Sequence, residues 1–327
     1  MRISDHTKQL FLFLPALGAF TLLALHSREA AAAAGAGMEA CLRSVAPSLF
    51  PFLVLGNLLS EVGFPDSAFR LPGNVFERVF HIRGTALSAF LIGLLGGFPL
   101  GAAAASQAYR NRRCSREEAG RLLIFSDNCS PGFLFGVVGA RSLGSFGDPL
   151  CLLILQWGIS LWLGLLLGIG KRPSSTEEGT PAVRSLSVPA LLVRSVSSGA
   201  RSLFYICAYV VFFTVLGSCL PRIPLLLGTL ELTGGILLCS GPEDLPAAAF
   251  LLGWGGFSAA FQVFAAALEG GIPICRYLPL RLLHGLLMAL CVSCLRLGLQ
   301  YLVFPLIAAG LLFLVVKKSR KRRALRV

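Results

Sequence analysis

The sequence predicts an all-α polytopic membrane protein: two structural repeats with broken or re-entrant helices, about 8–10 membrane-embedded helical segments in all. Three observations carry that expectation. Of 327 residues, 55% are hydrophobic and 14% charged, whereas a water-soluble domain carries about 25% charged residues. Apolar runs recur at 10–25, 45–59, 150–169, 202–220 and 300–316, each close to the roughly 17–25 residues of a helical span. Helix-breaking glycines and prolines also fall inside apolar segments, and in both halves of the chain.

Taken in order, residues 10–26 form a first span kinked at Pro15, read as retained although Arg2 and Lys8 ahead of it resemble a signal peptide. A small-residue connector covers 30–37. A second span at 41–62 carries Pro47, Pro51 and Asn57. Residues 64–83 alternate charged and apolar side chains, as a helix lying in the interface does.

The segment 85–109 is broken by Gly96-Gly97-Phe98-Pro99-Leu100-Gly101. Each half is long enough to reach the bilayer midplane, and a full crossing fits the length equally well. Basic residues flank both ends (His81, Arg83; Arg110, Arg112, Arg113), so the positive-inside bias favours a hairpin over a crossing. Ser115-Arg116-Glu117-Glu118 opens the next helix as an N-cap with an acidic first turn. That helix breaks at Ser126-Asp127-Asn128-Cys129-Ser130-Pro131-Gly132 and resumes at 133–140. A full span at 148–169 contains Gln156 and Trp157, and the polar stretch 171–189 links the halves.

The second half repeats the first. Ser48-Leu49-Phe50 and the residues to 63 align with Ser202-Leu203-Phe204 and those to 217, 154 residues later. Ala89-Phe90-Leu91-Ile92-Gly93 aligns with Ala249-Phe250-Leu251-Leu252-Gly253, and Gly96-Gly97-Phe98 with Gly255-Gly256-Phe257. Matched breaks in two halves are a pointer to a transporter site, and this alignment makes 247–268 a second hairpin. The parity stays open: either 224–239 also crosses, or one hairpin is a true span. The expected division is 1–37 (N-terminal span and connector), 38–170 (first repeat), 171–190 (linker), 191–316 (second repeat) and 317–327 (basic cytoplasmic tail).

Net charge is +13, yet seven basic residues crowd the last eleven, from Lys317 to Arg326. After an apolar span such a cluster reads as a cytoplasmic stop that touches anionic lipid headgroups, so no nucleic-acid partner is expected. The ten cysteines are scattered, and the lone Cys291/Cys294 pair reads as small hydrophobes. No cofactor or metal is expected. The chain has no HExxH, GxSxG or paired-carboxylate set, so an enzyme lacks its chemistry.

These residues resemble a known family. Gly96-Gly97-Phe98-Pro99-Leu100-Gly101-Ala102 resembles the GxPxGA element of the YlbJ-type sporulation integral membrane proteins, of the nucleoside-recognition (gate) group related to concentrative nucleoside carriers. Arg116-Glu117-Glu118-Ala119, the run 125–132 and Gly136-Val137-Val138-Gly139 match that family's next block. Glu231-Leu232-Thr233-Gly234-Gly235-Ile236 matches its second-half element. Asp127 and Ser130 stand where Asn and Gly are commoner, and Gly101-Ala102-Ala103 lacks the usual Lys. The resemblance covers about residues 38–300. It implies a plasma-membrane or outer forespore-membrane protein of a spore former, moving dipicolinate towards the forespore.

A small organic anion also suits the residues. Half-helices restarting after Pro99 and Pro131 would turn free N–H groups into a cavity. Gly97, Phe98, Pro99, Gly101, Asn128, Ser130, Gly132, Gly256 and Gln262 are the expected substrate contacts; Asn128 is alternatively a cap or an interhelical hydrogen bond. Asp127, Glu231 and Thr233 are the coupling or gating candidates, for H⁺ or Na⁺. Asp127 either binds that ion or pairs with Arg121, and Glu231 is either functional or interfacial. Arg201, Arg281 and His284 read as snorkelling or interfacial groups.

Overall fold

The computed structural model describes residues 5–62, 66–139, 143, 148–174 and 187–299, all helical or connecting. The span expected at 300–316, the basic tail and most of the linker lie outside the described residues. Helix α1 (Asp5–Leu25) contains Pro15. Helix α2 (Ser27–Ala40) passes through a π-helical turn, Cys41–Val45, into α3 (Ala46–Val62). Together they make one 36-residue helix, so the expected connector at 30–37 is helical. Its alanines are the best helix formers, and its glycine lets a neighbour close in. A Cβ built on Gly37 lies 3.1 Å from Val211 Cα of α10 (Val188–Gly217).

Among the described residues, five helices are long and apolar enough to cross a membrane: Ser27–Val62, Pro149–Gly168, Val188–Gly217, Pro242–Glu269 and Tyr277–Arg296. Helix α4 (Asp66–Phe80) occupies the segment expected as an interfacial helix, and the chain bends by 105° between Arg70–Phe80 and Gly84–Gly96. Phe76 and Phe80 of α4 stack on Phe90 and Phe125, with centroids 5.0–6.1 Å apart.

The first break is a hairpin. Helices α5 (Leu87–Gly96) and α6 (Leu100–Arg110) fold back on each other, because a Cβ on Gly93 lies 2.8 Å from Gly101 Cα. In a continuous helix those residues would stand about 12 Å apart. Helix α7 (Arg116–Ser126) opens with the expected cap in full. Ser115 accepts from Glu118 N, and Glu118 reaches back to Ser115 N at 2.7 Å. It ends at Ser126, resumes as α8 (Pro131–Phe133) and continues through a π turn, Leu134–Val138. Helix α9 (Pro149–Gly168) closes the half.

The second half departs from the expected pairing. Its hairpin is not 247–268 but α11 (Pro224–Leu230) and α12 (Leu232–Leu238), turning at Glu231. A Cβ on Gly235 falls 2.2 Å from Gly228 Cα, so the two arms touch at their glycines. Helices α13 (Leu245–Trp254) and α14 (Gly256–Glu269) instead lie within one 28-residue span. The two Gly-Gly-Phe runs differ for a local reason. At Gly97 the chain takes φ +76°, ψ −170° and meets Pro99, which has no N–H to continue a helix. The N–H groups of Gly97 and Gly255 both still reach the carbonyl four residues back, at 2.9 and 2.8 Å; what differs is that Ser258 stands where Pro99 does, and there the helix is interrupted rather than reversed. Helix α15 (Tyr277–Arg296) packs along α13, with Gly253 against Gly285. The first half runs long helix, α4, hairpin, interrupted segment and α9; the second runs α10, hairpin, interrupted span and α15.

Candidate functional site

The break at 127–130 leaves three backbone carbonyls without helical partners, and a different element serves each. Asp127 O accepts from Arg281 Nη1 at 3.0 Å, Asn128 O from the Phe98 N–H at 2.9 Å, and Cys129 O from Gln156 Nε2 at 3.0 Å. This is the accounting that buried backbone demands. The helix restarts under a cap: Ser130 Oγ accepts from Phe133 N at 3.1 Å, and Pro131 is the first helical residue. Asn128, fully buried, spends its side chain on protein. Nδ2 donates to Phe125 O at 3.1 Å, and Oδ1 accepts from Ser160 Oγ at 2.7 Å and from Arg281 Nη1 at 3.4 Å. Asn128→Ala is expected to cost about 1–3 kcal/mol through the donors left unpaired. Adding Ser160→Ala should cost less than it does alone, which a double-mutant cycle on unfolding in detergent would measure.

Asp127 faces α15. Its Oδ2 accepts from Tyr277 OH at 3.0 Å, while Oδ1 lies against the start of α6, beside Gly101. Arg121 is not its partner, since both Nη atoms of that side chain hold the end of α4 through Phe80 O and His81 O. Arg201 is exposed, as a snorkelling group is. Arg281 and His284 correct the sequence reading: neither is interfacial, with exposures of 1% and 0%. They contact each other, Nη1 to Nδ1, at 3.1 Å. The missed signal was a polar stripe. Tyr277, Arg281 and His284 fall at i, i+4 and i+7, one face of a helix otherwise rich in leucine. Gln156 and Ser160 form the matching i, i+4 pair on α9.

The second hairpin meets the second break in the same way. Glu231 is 5% exposed and caps α12, with Oε1 accepting from Thr233 N at 2.9 Å and Oε2 from Gly234 N at 2.6 Å. A Cβ on Gly256 would lie 3.0 Å from Gly228 O and 3.2 Å from Leu232 N. The halves join at Phe98, whose ring is 3.3 Å from a Cβ on Gly255 and which packs on both apolar clusters of the interior.

Between the two hairpin tips and the two breaks lies a hollow. Phe98, Ser130, Glu231, Thr233, Ser258 and Gln262 line it, with α3 and α10 completing the wall through Leu49 and Ile206. It offers about 40 Å³ to the centres of water molecules, enough for a few of them. Gln262 is 6% exposed and hydrogen-bonds Ser258 Oγ at 3.4 Å. Of the sequence-predicted residues, Phe98, Ser130, Glu231, Thr233 and Gln262 thus share one cavity. Gly97, Pro99, Gly101, Asp127, Asn128, Gly132 and Gly256 are not in its wall: Gly101 packs on Asp127, and Gly132 packs on Ser48 and Phe52. Among the described residues no cluster of His, Cys, Asp or Glu is arranged to hold a metal ion.

The fold and this site define a multi-span α-helical membrane protein whose helices break around a mostly apolar hollow with a few polar side chains in its wall. The chain is similar to the sporulation integral membrane protein YlbJ of Bacillus subtilis (strain 168), with 25% identity over 329 residues that cover 84% of this chain and 78% of that protein. That similarity bears out the resemblance read from the motifs. No family model and no solved structure matches the chain.

Proposed function

We propose that this chain is a sporulation membrane carrier that passes a small planar organic anion, of which dipicolinate is the type, through the hollow between two gate-like repeats. One observation carries the reading: two hairpin tips and two helix breaks, spread over more than 160 residues from Gly97 to Ser258, converge on one cavity. Broken helices at membrane depth supply backbone groups to a solute. The shared order of long helix, hairpin, interrupted segment and closing helix, with α4 added in the first half, supports the repeat. The sporulation setting, in the plasma membrane or outer forespore membrane, comes from the likeness to YlbJ. Asp127 and Glu231 are the carboxylates available for a coupling H⁺ or Na⁺, and the lipid bilayer is the partner of the exposed apolar faces.

Two features favour a different reading. The hollow holds only a few waters, and its wall carries a carboxylate and no cation. A non-transporting scaffold or receptor for cortex or envelope assembly fits the first feature, and a nucleoside-type carrier fits the second. Purified protein in liposomes, assayed for counterflow of dipicolinate and of uridine, separates the three. Dipicolinate exchange is the expected result. Uridine exchange alone identifies the nucleoside carrier, and flux of neither solute supports the scaffold.

A further inference from the structure

An anion carrier needs a positive group within reach of its cavity, and the wall of this one has none. A candidate is Arg281, whose guanidinium lies over the ring of Phe98, a residue of that wall. Arg281 is buried at 1% exposure and forms no ion pair among the described residues. Its Nη1 is committed to Asp127 O, Asn128 Oδ1 and His284 Nδ1. Its Nε and Nη2 have no acceptor. Those two N–H groups form the side edge of the guanidinium, the planar fork that takes both oxygens of one carboxylate. A buried guanidinium with that edge empty is costly in a protein interior, and a bound anion would relieve the cost. Phe98 touches both the hollow and the guanidinium. Its ring lines the hollow, and its centroid is 6.0 Å from Arg281 Cζ.

We propose that Arg281 is the residue that selects a carboxylate solute, through its Nε/Nη2 edge, and that the Phe98 ring screens it while the hollow is empty. The inference rests on the carrier reading and deepens it. In this arrangement Nη1 stays on the break while the free edge receives the solute, so charge recognition is built into the same side chain that holds α7 open. Lysine keeps the charge but has no fork.

The test uses the full-length protein in liposomes and in detergent, with dipicolinate, its uncharged diamide and uridine as probes. Wild type should bind dipicolinate at least about tenfold more tightly than the diamide, the value of one charge-assisted pair. Arg281→Lys should lose about tenfold or more in dipicolinate affinity, and Phe98→Ala should raise the initial rate of dipicolinate entry. Equal binding of dipicolinate and diamide by wild type overturns the proposal without any variant, so a misfolded Arg281→Lys does not protect it. Undiminished dipicolinate affinity in a folded Arg281→Lys overturns it while leaving the carrier reading intact. Exchange of uridine only overturns the anion assignment and this inference together, and leaves a carrier of uncharged solutes.

Discussion

Replacing Gly97 with valine is expected to abolish solute flux and to lower stability more than any other single change at the hairpin tips. Two costs combine. The backbone sits at φ +76°, ψ −170°, a region open essentially to glycine, where another residue costs about 1–3 kcal/mol. A Cβ there would also lie 2.6 Å from Ser130 N and 2.8 Å from Asn128 O. Both are backbone atoms and cannot swing aside, so overpacking adds about 1–3 kcal/mol more. The strain falls on the hydrogen bond from Phe98 N to Asn128 O that ties the tip to the break. Gly158→Ala is the control. Nothing lies within 4 Å of its added Cβ, and alanine is the better residue inside a helix by roughly 0.5–1 kcal/mol. Thermal unfolding in detergent and liposome flux on the same preparations check both variants.

Glu118→Ala is the second large effect, expected at about 3–5 kcal/mol, the cost of removing one partner from a buried ion pair. Glu118 is 2% exposed and gathers three chain segments. Its carboxylate accepts from Arg83 N at 3.2 Å, Ser115 N at 2.7 Å and Ser174 N at 3.1 Å, and it lies 3.7 Å from Arg83 Nε. Deletion removes the carboxylate beside the Arg83 guanidinium, uncaps α7 and takes away the acceptor of the Ser174 N–H at once. Glu118→Gln keeps one acceptor and should recover part of the loss. Because the site is far along α7 from the break, a folded Glu118→Gln should keep the solute affinity of wild type even as its unfolding midpoint falls. A loss of affinity equal to that of Arg281→Lys would mean that Glu118 acts on the hollow directly.

Much of this arrangement was legible in the residues. Ser115 with its acidic first turn spelled an N-cap, which the structure completes as a capping box, and the run at 64–83 spelled a helix, present as α4. The basic residues on both flanks of the Gly96-Gly97-Phe98-Pro99 break marked a reversal, and the proline after the glycines is what makes it. The second half misled for the same reason seen from the other side. Gly255-Gly256-Phe257 copies the letters but has no proline after it, and the true reversal, at Glu231, is made by a carboxylate capping two backbone N–H groups. A motif match weighs identity of letters, whereas the chain responds to which N–H groups remain available. Arg281 and His284 were hidden by their neighbours. On a leucine-rich helix two polar residues look interfacial until Tyr277 is counted with them and the face they share is packed against the Asp127 break.

The central claim is that the tips and breaks of the two halves meet. Cysteine pairs test it most directly, in a chain whose own ten cysteines are replaced and whose linker carries a protease site. Cysteines at Phe98 and Ala259, both on the wall of the hollow, should be joined by a short bismaleimide in native membranes, so the two halves still migrate together after cleavage. A control pair at Phe20 and Leu282, both exposed, tests for indiscriminate joining. Separation of the halves in the Phe98/Ala259 protein, with both cysteines modified singly, would contradict the convergence on which the carrier reading and the role of Arg281 rest.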